Sequence, residues 1–567
     1  MATQKLELTW IGKEKTYEIE PRILIENPNL SYEKVENLLD DGTKDNMLIH
    51  GDNLLALEAL RKKYSSSVKC IYIDPPYNTG SAFEHYDDNV EHSMWLSLMR
   101  ERLLRLKDLL TDDGIIYIQI DDIEHAYLKV LCDEIFGRSN YITSIAVKMS
   151  TPSGVKLSHR DKKILKVKEY IVVYAKNKDE VRFNPQYFPK TEWDPYYEWY
   201  VDKNGTDVSQ WKVYQLKEIL AQNGIIVKKL EQLNINDPKV KEFYLKNADK
   251  IWQRGRNTNI PKDVLQLSNE NWETVFEYGN DEDGKQYCYK GRRMAFLANV
   301  IKEVTRRDGT KANDLGTLIC DFWDDISTAA LFSEGKVDFP NGKKPETLIQ
   351  RILDLSTEPG DLVLDSFLGS GSTCAVAQKM GRRWIGIEMG EHAYTHCKKR
   401  IDMVINGQDL TGITKARKWK GGGGYHFYEL APTLINEDLL GEPIINKEYN
   451  PDMLAAAVAL HEGFKYCPNP NVFWKQSVST ENSYLFVTTA HLSDLLVKEI
   501  EKQMSEDEFL LIACKSFDKS AINISDKIKI KKIPQMLLGK CEFGKDDYSL
   551  NIINPPVYEY EEDDCDE

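Results

Sequence analysis

Four apolar runs constrain this chain more than any other feature: VKCIYID at residues 68–74, IIYIQID at 115–121, DLVLD at 361–365 and RWIGIE at 383–388. Their apolar residues barely alternate with polar ones, so each run reads as a strand covered on both faces, as in a parallel sheet with helices above and below. The intervening sequence supplies those helices. Apolar residues at 95, 96, 98, 99, 103, 106, 109 and 110 recur at helical spacing until Asp112-Asp113-Gly114 stops them, and residues 123–136 read the same way. Residues 46–49 and 170–175 read as further strands. A helix follows Pro345, and another over 372–380, capped by Ser372 or Thr373, ends at Gly381. The fold class expected is α/β, a doubly wound, mostly parallel, Rossmann-like sheet.

That sheet is written in two pieces. From about 176 to 310 the pattern dissolves into stretches such as EWDPYYEWYVD and IWQRGRNTNIP, and a chain of 567 residues is in any case too long for one core. The expected organisation is an N-terminal extension (1–45), a first sheet half (46–175), an insert (176–310), a second sheet half (311–420), a small C-terminal α/β domain (425–556) and an acidic, disordered tail (557–567). Gly421 to Gly424 reads as the one flexible-looking joint.

Net charge is −16, yet residues 141–320 carry 31 basic against 24 acidic residues, and 141–190 alone carry 11 against 4. A local surface for a polyanion within an acidic protein is one reading of this, a solvated face the other. Ten scattered cysteines, with no CxxC, read as reduced thiols of a cytoplasmic protein, and no metal site is expected. No apolar run approaches the roughly 20 residues that cross a bilayer, nor is there a secretory signal, so no membrane partner is expected.

Two motifs end strands. In the second piece, Asp365 precedes the turn Phe367-Leu368-Gly369-Ser370-Gly371, and Glu388 closes the next strand. Close glycines let backbone approach a ligand, and a carboxylate at that strand end can accept both hydroxyls of a ribose. Alone, this suits a nicotinamide or flavin dinucleotide as well as S-adenosylmethionine. In the first piece, Asp74-Pro75-Pro76-Tyr77 follows a buried strand. An exocyclic base amine is a poor nucleophile because its lone pair is delocalised; two acceptors for its N–H groups would free that pair. Asp74 can be one and the Pro75 carbonyl the other, held extended by Pro76, while Tyr77 offers a face for a base rotated out of a duplex.

DPPY paired with FLGSG resembles the DNA amino-methyltransferases, and their order, DPPY, insert, then glycine loop, is similar to the circularly permuted β class. KLELTWIGKEKTYEIEPRILIE, MLIHGDNLLALEAL, IYIDPPYNTGSAFEHYDD and KWKGGGGYHFYEL further resemble the modification (Mod) subunit of type III restriction-modification systems. The resemblance implies S-adenosylmethionine as cofactor, held by Asp365, Phe367, Gly369 and Gly371, with Glu388 on the ribose. It implies Asp52 near the cofactor's adenine, and Lys343 and Pro345 at its methionine end; Pro345 could instead simply start a helix. Catalysis falls to Asp74, Pro75, Pro76 and Tyr77, and Asp at the first position implies adenine N6 rather than cytosine N4.

The implied function is direct methyl transfer to a flipped adenine, with the insert as target recognition domain. The implied partners are duplex DNA, a second copy of the chain, and a restriction (Res) subunit with ATP-dependent helicase and nuclease activity, since this sequence has no Walker A motif. The acidic C-terminal domain is the candidate for dimerisation or partner docking. A stand-alone amino-methyltransferase, one acting on RNA or a protein amide, and a DNA-binding specificity scaffold are the competing readings. Cys374 reads as a packing residue, and the Asp pairs at 87–88, 112–113, 121–122 and 324–325 as caps and turns.

Overall fold

A computed structural model describes residues 7–14, 18–33, 45–77, 92–150, 164–205, 207–257, 259–279, 284–306, 309–328, 331–339, 342–479, 482–546 and 548. The tail at 557–567, the Asp87-Asp88 pair and Asn78-Thr79-Gly80 lie outside them. The chain forms two compact units, one made of residues 1–184 and 321–567, the other of 185–320.

The larger unit is built on an eleven-stranded sheet. In chain order its strands are β1 (Leu24–Glu26), β2 (Tyr32–Glu33), β3 (Asn46–His50), β4 (Val68–Ile73), β5 (Leu110–Ile120), β6 (Tyr141–Lys148), β7 (Lys168–Ala175), β8 (Phe322–Trp323), β9 (Leu362–Asp365), β10 (Arg383–Glu388) and β11 (Gly424–Leu430). Across the sheet they run β1-β11-β3-β10-β9-β4-β5-β7-β6-β8, with β2 also paired to β11. The six from β11 to β5 are mutually parallel. β7 is antiparallel to β5 and β6, and β1 and β2 are antiparallel to β11, so the sheet is mixed at its margins.

Helices cover both faces, which is why the central strands are apolar throughout. α1 (Asn53–Tyr64), α2 (His92–Leu109) and α3 (Asp122–Cys132) share one core with Ile71 and Ile73 of β4, Leu362 and Leu364 of β9, and Ile385 and Ile387 of β10. The alternate position on β10, Gly386, faces the other way: a Cβ there would lie 2.6 Å from Cys374 Sγ of α5 (Ser372–Lys379). Cys374 is fully buried at that contact, a packing residue as its sequence context suggested. α4 (Glu346–Ser356) packs against α5, and α5 against α6 (Lys399–Ile405).

The connections turn in opposite directions from the centre. From β4 the chain passes through α2 to β5 on one side; from β9 it passes through α5 to β10 on the other. β4 and β9 are nonetheless hydrogen-bonded neighbours, with Val363 opposite Cys70 and Leu364 opposite Ile71. This is the topological switch point of the sheet, where ligands of such folds bind beyond the carboxyl ends of the strands.

Three boundaries differ from those read in the sequence. The second unit begins at 185 and ends at 320 rather than at 176 and 310, because Lys311–Leu318 pairs with Ile301–Thr305 and Tyr187–Pro189 inside it. The N-terminal extension is woven in: β1 and β2 flank β11, and buried Glu20 accepts from the Leu434 backbone at 2.7 Å and the Thr433 hydroxyl at 2.8 Å. Gly421 to Gly424 is not a flexible joint. It leads into β11, and Gly421, Gly422 and Gly424 are buried. Gly421 to Gly423 all take positive φ, and the backbone of residues 405–407 also presses on Gly421, so glycine here serves a fixed conformation.

Beyond β11 lies a five-stranded sheet, Lys465–Tyr466, Ser477–Val478, Ser483–Leu492, Phe509–Phe517 and Ile528–Lys532, with helices α7 (Pro451–Glu462) and α8 (Asp494–Gln503). It has two apolar clusters of its own yet belongs to the larger unit. No described helix is long and apolar enough to cross a membrane.

A Cβ on Gly421 would sit 2.6 Å from the Ile405 carbonyl oxygen, at φ +97°. Gly421→Ala should therefore cost about 2–4 kcal/mol from left-handed strain and overpacking together. A urea titration of the full chain reads this directly; an unshifted midpoint would restore the flexible-joint reading.

Candidate active site at the junction of the sheet halves

β4 delivers Asp74 to its carboxyl end, and everything around that carboxylate is held by hydrogen bonds. Tyr77 Oη lies 2.6 Å from Asp74 Oδ1 and 2.9 Å from Glu169 Oε2, so its single proton serves one carboxylate at a time. Lys344 Nζ donates to Tyr77 Oη at 2.7 Å and to Glu169 Oε2 at 3.1 Å, and lies 3.3 Å from Asp74 Oδ2. Gln119 on β5 donates to Glu169 and accepts from Tyr72 Oη on β4. Trp95 Nε1 of α2 donates to the Pro76 carbonyl at 2.7 Å. Among the described residues nothing donates to the Pro75 carbonyl, the acceptor expected beside Asp74.

The charges are coupled. Burial pushes the Asp74 carboxyl up to about 6; the Lys344 ammonium opposes this and the Glu169 carboxylate adds to it. Burial also disfavours ionised Glu169, yet Lys344 and the bonds from Gln119 and Tyr77 hold its carboxyl below the usual range. Lys344 is held above the usual lysine value despite burial, by Asp74 and Glu169.

At the end of β9 the glycine loop is tied down from both sides. Asp365 accepts from the Phe367 N–H at 2.9 Å and the Thr373 hydroxyl at 2.6 Å. Glu388 at the end of β10 accepts from the Gly369 N–H at 2.6 Å. Gly371, not Ser372 or Thr373, is the N-cap of α5, at φ +79°, and a Cβ there would meet the Cys397 backbone at 3.1 Å. Phe367 is buried against the main core. Burial pushes the Asp365 carboxyl up to about 7, and the nearby Asp74 and Glu388 carboxylates add to it. Asp74, Asp365 and Glu388 thus gather at the switch point, a site whose electrostatics suit a cationic ligand.

Three residues expected at the cofactor have structural roles in the chain. Asp52 caps α1, accepting from Leu54 and Leu55 N–H at 2.8 and 3.1 Å, and its second oxygen takes the Tyr548 N–H at 3.2 Å. Both its oxygens are therefore engaged within the protein. Lys343 donates to the carbonyls of Phe332, Glu334 and Val337 at 3.1, 2.8 and 2.6 Å, pinning that loop, and burial lowers its ammonium to about 8. Pro345 does start a helix, as the N-cap of α4. The lysine that reaches the site is Lys344, and the KKP spelling gave no means of choosing between the two. Glu169 was missed as well. Its signal was a charge opening the apolar run KEYIVVYA: because β7 is antiparallel, its first residues lie level with the last ones of β5, Ile120 opposite Tyr170.

A buried ionic network supports the loop. Glu346 accepts from Lys379 Nζ at 2.8 Å, Arg400 at 2.9 Å and the Ile413 N–H at 3.0 Å; Lys379 also binds Asp409 at 2.7 Å, and Arg400 donates to Ser372 Oγ at 2.7 Å. Of the remaining Asp pairs, Asp113 binds Lys69, Asp121 caps α3 and Asp325 binds Arg351; no cluster suited to a metal is found among the described residues. Because Glu346 is fully buried between two cations, Glu346→Gln leaves uncompensated charge and should cost about 3–5 kcal/mol. Chemical denaturation measures it, and a loss below 1 kcal/mol, the value of a surface pair, would refute the network's role.

Known proteins resemble this chain. The chain is 37% identical over 425 residues to the Haemophilus influenzae protein "Probable type III restriction-modification enzyme HindVI Mod subunit", covering 69% of this chain and 55% of that one. The chain thus spans little more than half the length of that relative. It is 24% identical over 549 residues to the type III restriction-modification enzyme EcoP15I Mod subunit of Escherichia coli, covering 82% of this chain and 78% of the relative. It is 30% identical over 364 residues to the type II methyltransferase M.EcaI of Enterobacter cloacae, covering 63% and 69%. The family model described as DNA methylase matches residues 68–399, from the first residue of β4 to the first of α6 and so through both motifs. The chain belongs to the DNA methylase family.

Proposed function

We propose that the chain is a site-specific DNA methyltransferase that moves a methyl group from S-adenosylmethionine to N6 of an adenine rotated out of the duplex, and that it is the modification and specificity subunit of a type III restriction-modification complex. The observation that carries the first part is the adjacency of Asp74 and the Phe367–Gly371 loop across the β4–β9 pair. Three carboxyl groups there, with Asp365 pushed up by burial and then by its two neighbours, fit a cofactor bearing positive charge. Glu388, Asp365 and the loop glycines would hold it. When bound, S-adenosylmethionine supplies a sulfonium methyl that is already an activated electrophile.

The chain's own residues do the rest. Asp74 Oδ accepts one N–H of the adenine amine and the Pro75 carbonyl accepts the other, which draws nitrogen toward sp³ geometry and localises its lone pair. Asp74 is also the group placed to receive the proton that the amine sheds. Lys344 and Tyr77 fix the carboxylate's direction, and Trp95, through the Pro76 carbonyl, fixes the turn. The type III part rests on likeness to Mod subunits; a Res partner, duplex DNA and a second copy of this chain are the partners it implies. A stand-alone modification enzyme is the second reading, favoured by the likeness to M.EcaI.

Incubation of the full chain with duplex DNA and labelled S-adenosylmethionine, followed by single-molecule sequencing, tests base, atom and motif together. N4-methylcytosine in place of N6-methyladenine would overturn the assignment. Asp74→Ala should lower kcat by about 10²–10³ or more while leaving DNA binding intact. Copurification of a helicase-nuclease subunit from the native host separates the type III reading from the stand-alone one.

The acceptor role needs ionised Asp74, so kcat should fall as pH drops through about 6, where its carboxyl is pushed. Lys344 opposes that upward push, so in Lys344→Met the acid limb of the kcat profile should move to higher pH. A limb that stays in place would show that another group controls it.

A further inference from the structure

The smaller unit, residues 185–320, holds a second ordered cluster of charge. Its six-stranded antiparallel sheet has the central neighbours Trp199–Asp202, Ile251–Arg254 and Arg292–Phe296, and then Gln286–Tyr289. Arg254 ends its strand opposite Met294, and the Gly255 N–H donates to the Arg293 carbonyl at 2.7 Å. The hairpin joining Gln286–Tyr289 to Arg292–Phe296 turns at Lys290 and Gly291, both at positive φ, and is anchored by the Gly291 N–H to Ser268 Oγ at 3.0 Å. Arg254, Arg256, Arg292 and Arg293 are thereby gathered at one end of two paired strands, whose spacing is about 4.8 Å.

These arginines differ from the lysines around them. Lys203 is matched by Asp249 at 3.2 Å, Lys285 by Glu277 at 3.0 Å and Lys290 by Glu273 at 3.3 Å. Among the described residues none of the four arginines has a carboxylate within ion-pair distance. Arg254, Arg256 and Arg292 are exposed. Arg254 lies 5.0 Å over the Trp199 ring, which itself stacks on Trp252 at 5.8 Å. A guanidinium laid on an indole is pre-oriented while its N–H fork remains free, the arrangement suited to phosphate or to the edge of guanine. Uncompensated, partly pre-ordered arginines at one end of the sheet fit a DNA duplex, whose phosphates and major-groove base edges their side chains can reach; the major groove of A-form RNA is too narrow for side chains to read.

We infer that this arginine end of the insert's sheet is the surface that contacts duplex DNA. This rests on the reading of the chain as a DNA methyltransferase and adds to it the face of the insert that meets the substrate. The three exposed side chains, Arg254, Arg256 and Arg292, neutralise phosphates, and Arg254, held against Trp199, has the fixed geometry that a base contact needs.

The full chain and the triple variant Arg254→Ala/Arg256→Ala/Arg292→Ala are compared for binding to a short unmethylated duplex and to an RNA duplex of the same sequence, across a salt series. For the DNA duplex, Kd should rise by about tenfold or more, and the slope of log K against log salt should shrink by about 2–3, close to 0.9 for each phosphate that no longer meets a cation. An Arg→Lys triple at the same positions should keep the wild-type slope. Equal Kd and slope in wild type and the Ala triple would overturn the inference, as would loss of affinity for RNA alone. A Lys triple whose salt slope falls as far as that of the Ala triple would overturn it too, since the charges would then not be meeting phosphates. A wild-type chain that binds duplex through these arginines yet methylates none would leave the inference standing and sink the methyltransferase reading.

Discussion

The site exists because β4 and β9 pair. Two hydrogen-bonded registers, Cys70 with Val363 and Ile71 with Leu364, bring together strand ends separated by about 290 residues of chain. On one side of that seam hang Asp74, the prolines and Tyr77; on the other hang Asp365, the glycine loop and, one strand further, Glu388. Neither side alone carries the whole candidate site. The buried Glu346–Lys379–Arg400–Asp409 network acts on the same seam from below, because Arg400 fixes Ser372 at the start of α5 and Glu346 opens α4. A network of buried charge is poor stabilisation compared with apolar packing, but it tolerates only one arrangement, and here that arrangement fixes where the loop begins.

The polarity of each strand decides what can reach the site. Parallel strands present their carboxyl ends there, which is why motifs following β4, β9 and β10 were found by reading strand ends in the sequence. β7 runs the other way and contributes its beginning, so Glu169 reached the site from a position that a strand-end rule does not inspect. Lys344 escaped for a different reason: its neighbour Lys343 is chemically identical, and only the three carbonyls of residues 332–337 separate a loop pin from a group at the candidate site.

The same contrast explains what else was legible. Near-continuous apolar runs identified the central strands and the two-piece order correctly, because burial on both faces leaves a compositional mark. The glycine run misled, since a sequence shows that side chains are absent but not whether backbone fills the space; around Gly421 the backbone of Ile405 and Gly407 fills it. The margins of the sheet were the least visible part. β1, β2 and β8 are two or three residues long, too short to show a period, and depend on partners far away in the chain.

The separation of β4 from β9 also has a cost in time. During synthesis at about 5–20 residues per second, the edge of β4 that will receive β9 waits roughly 15–60 seconds for its partner to be made. Throughout that interval an apolar strand with unsatisfied N–H and C=O groups is exposed, the feature that invites pairing between chains. The smaller unit is synthesised whole within the same interval, and among the described residues its strand pairings are internal. A permuted order therefore makes the birth of this protein depend on whatever shields one strand edge until the second half of its sheet arrives.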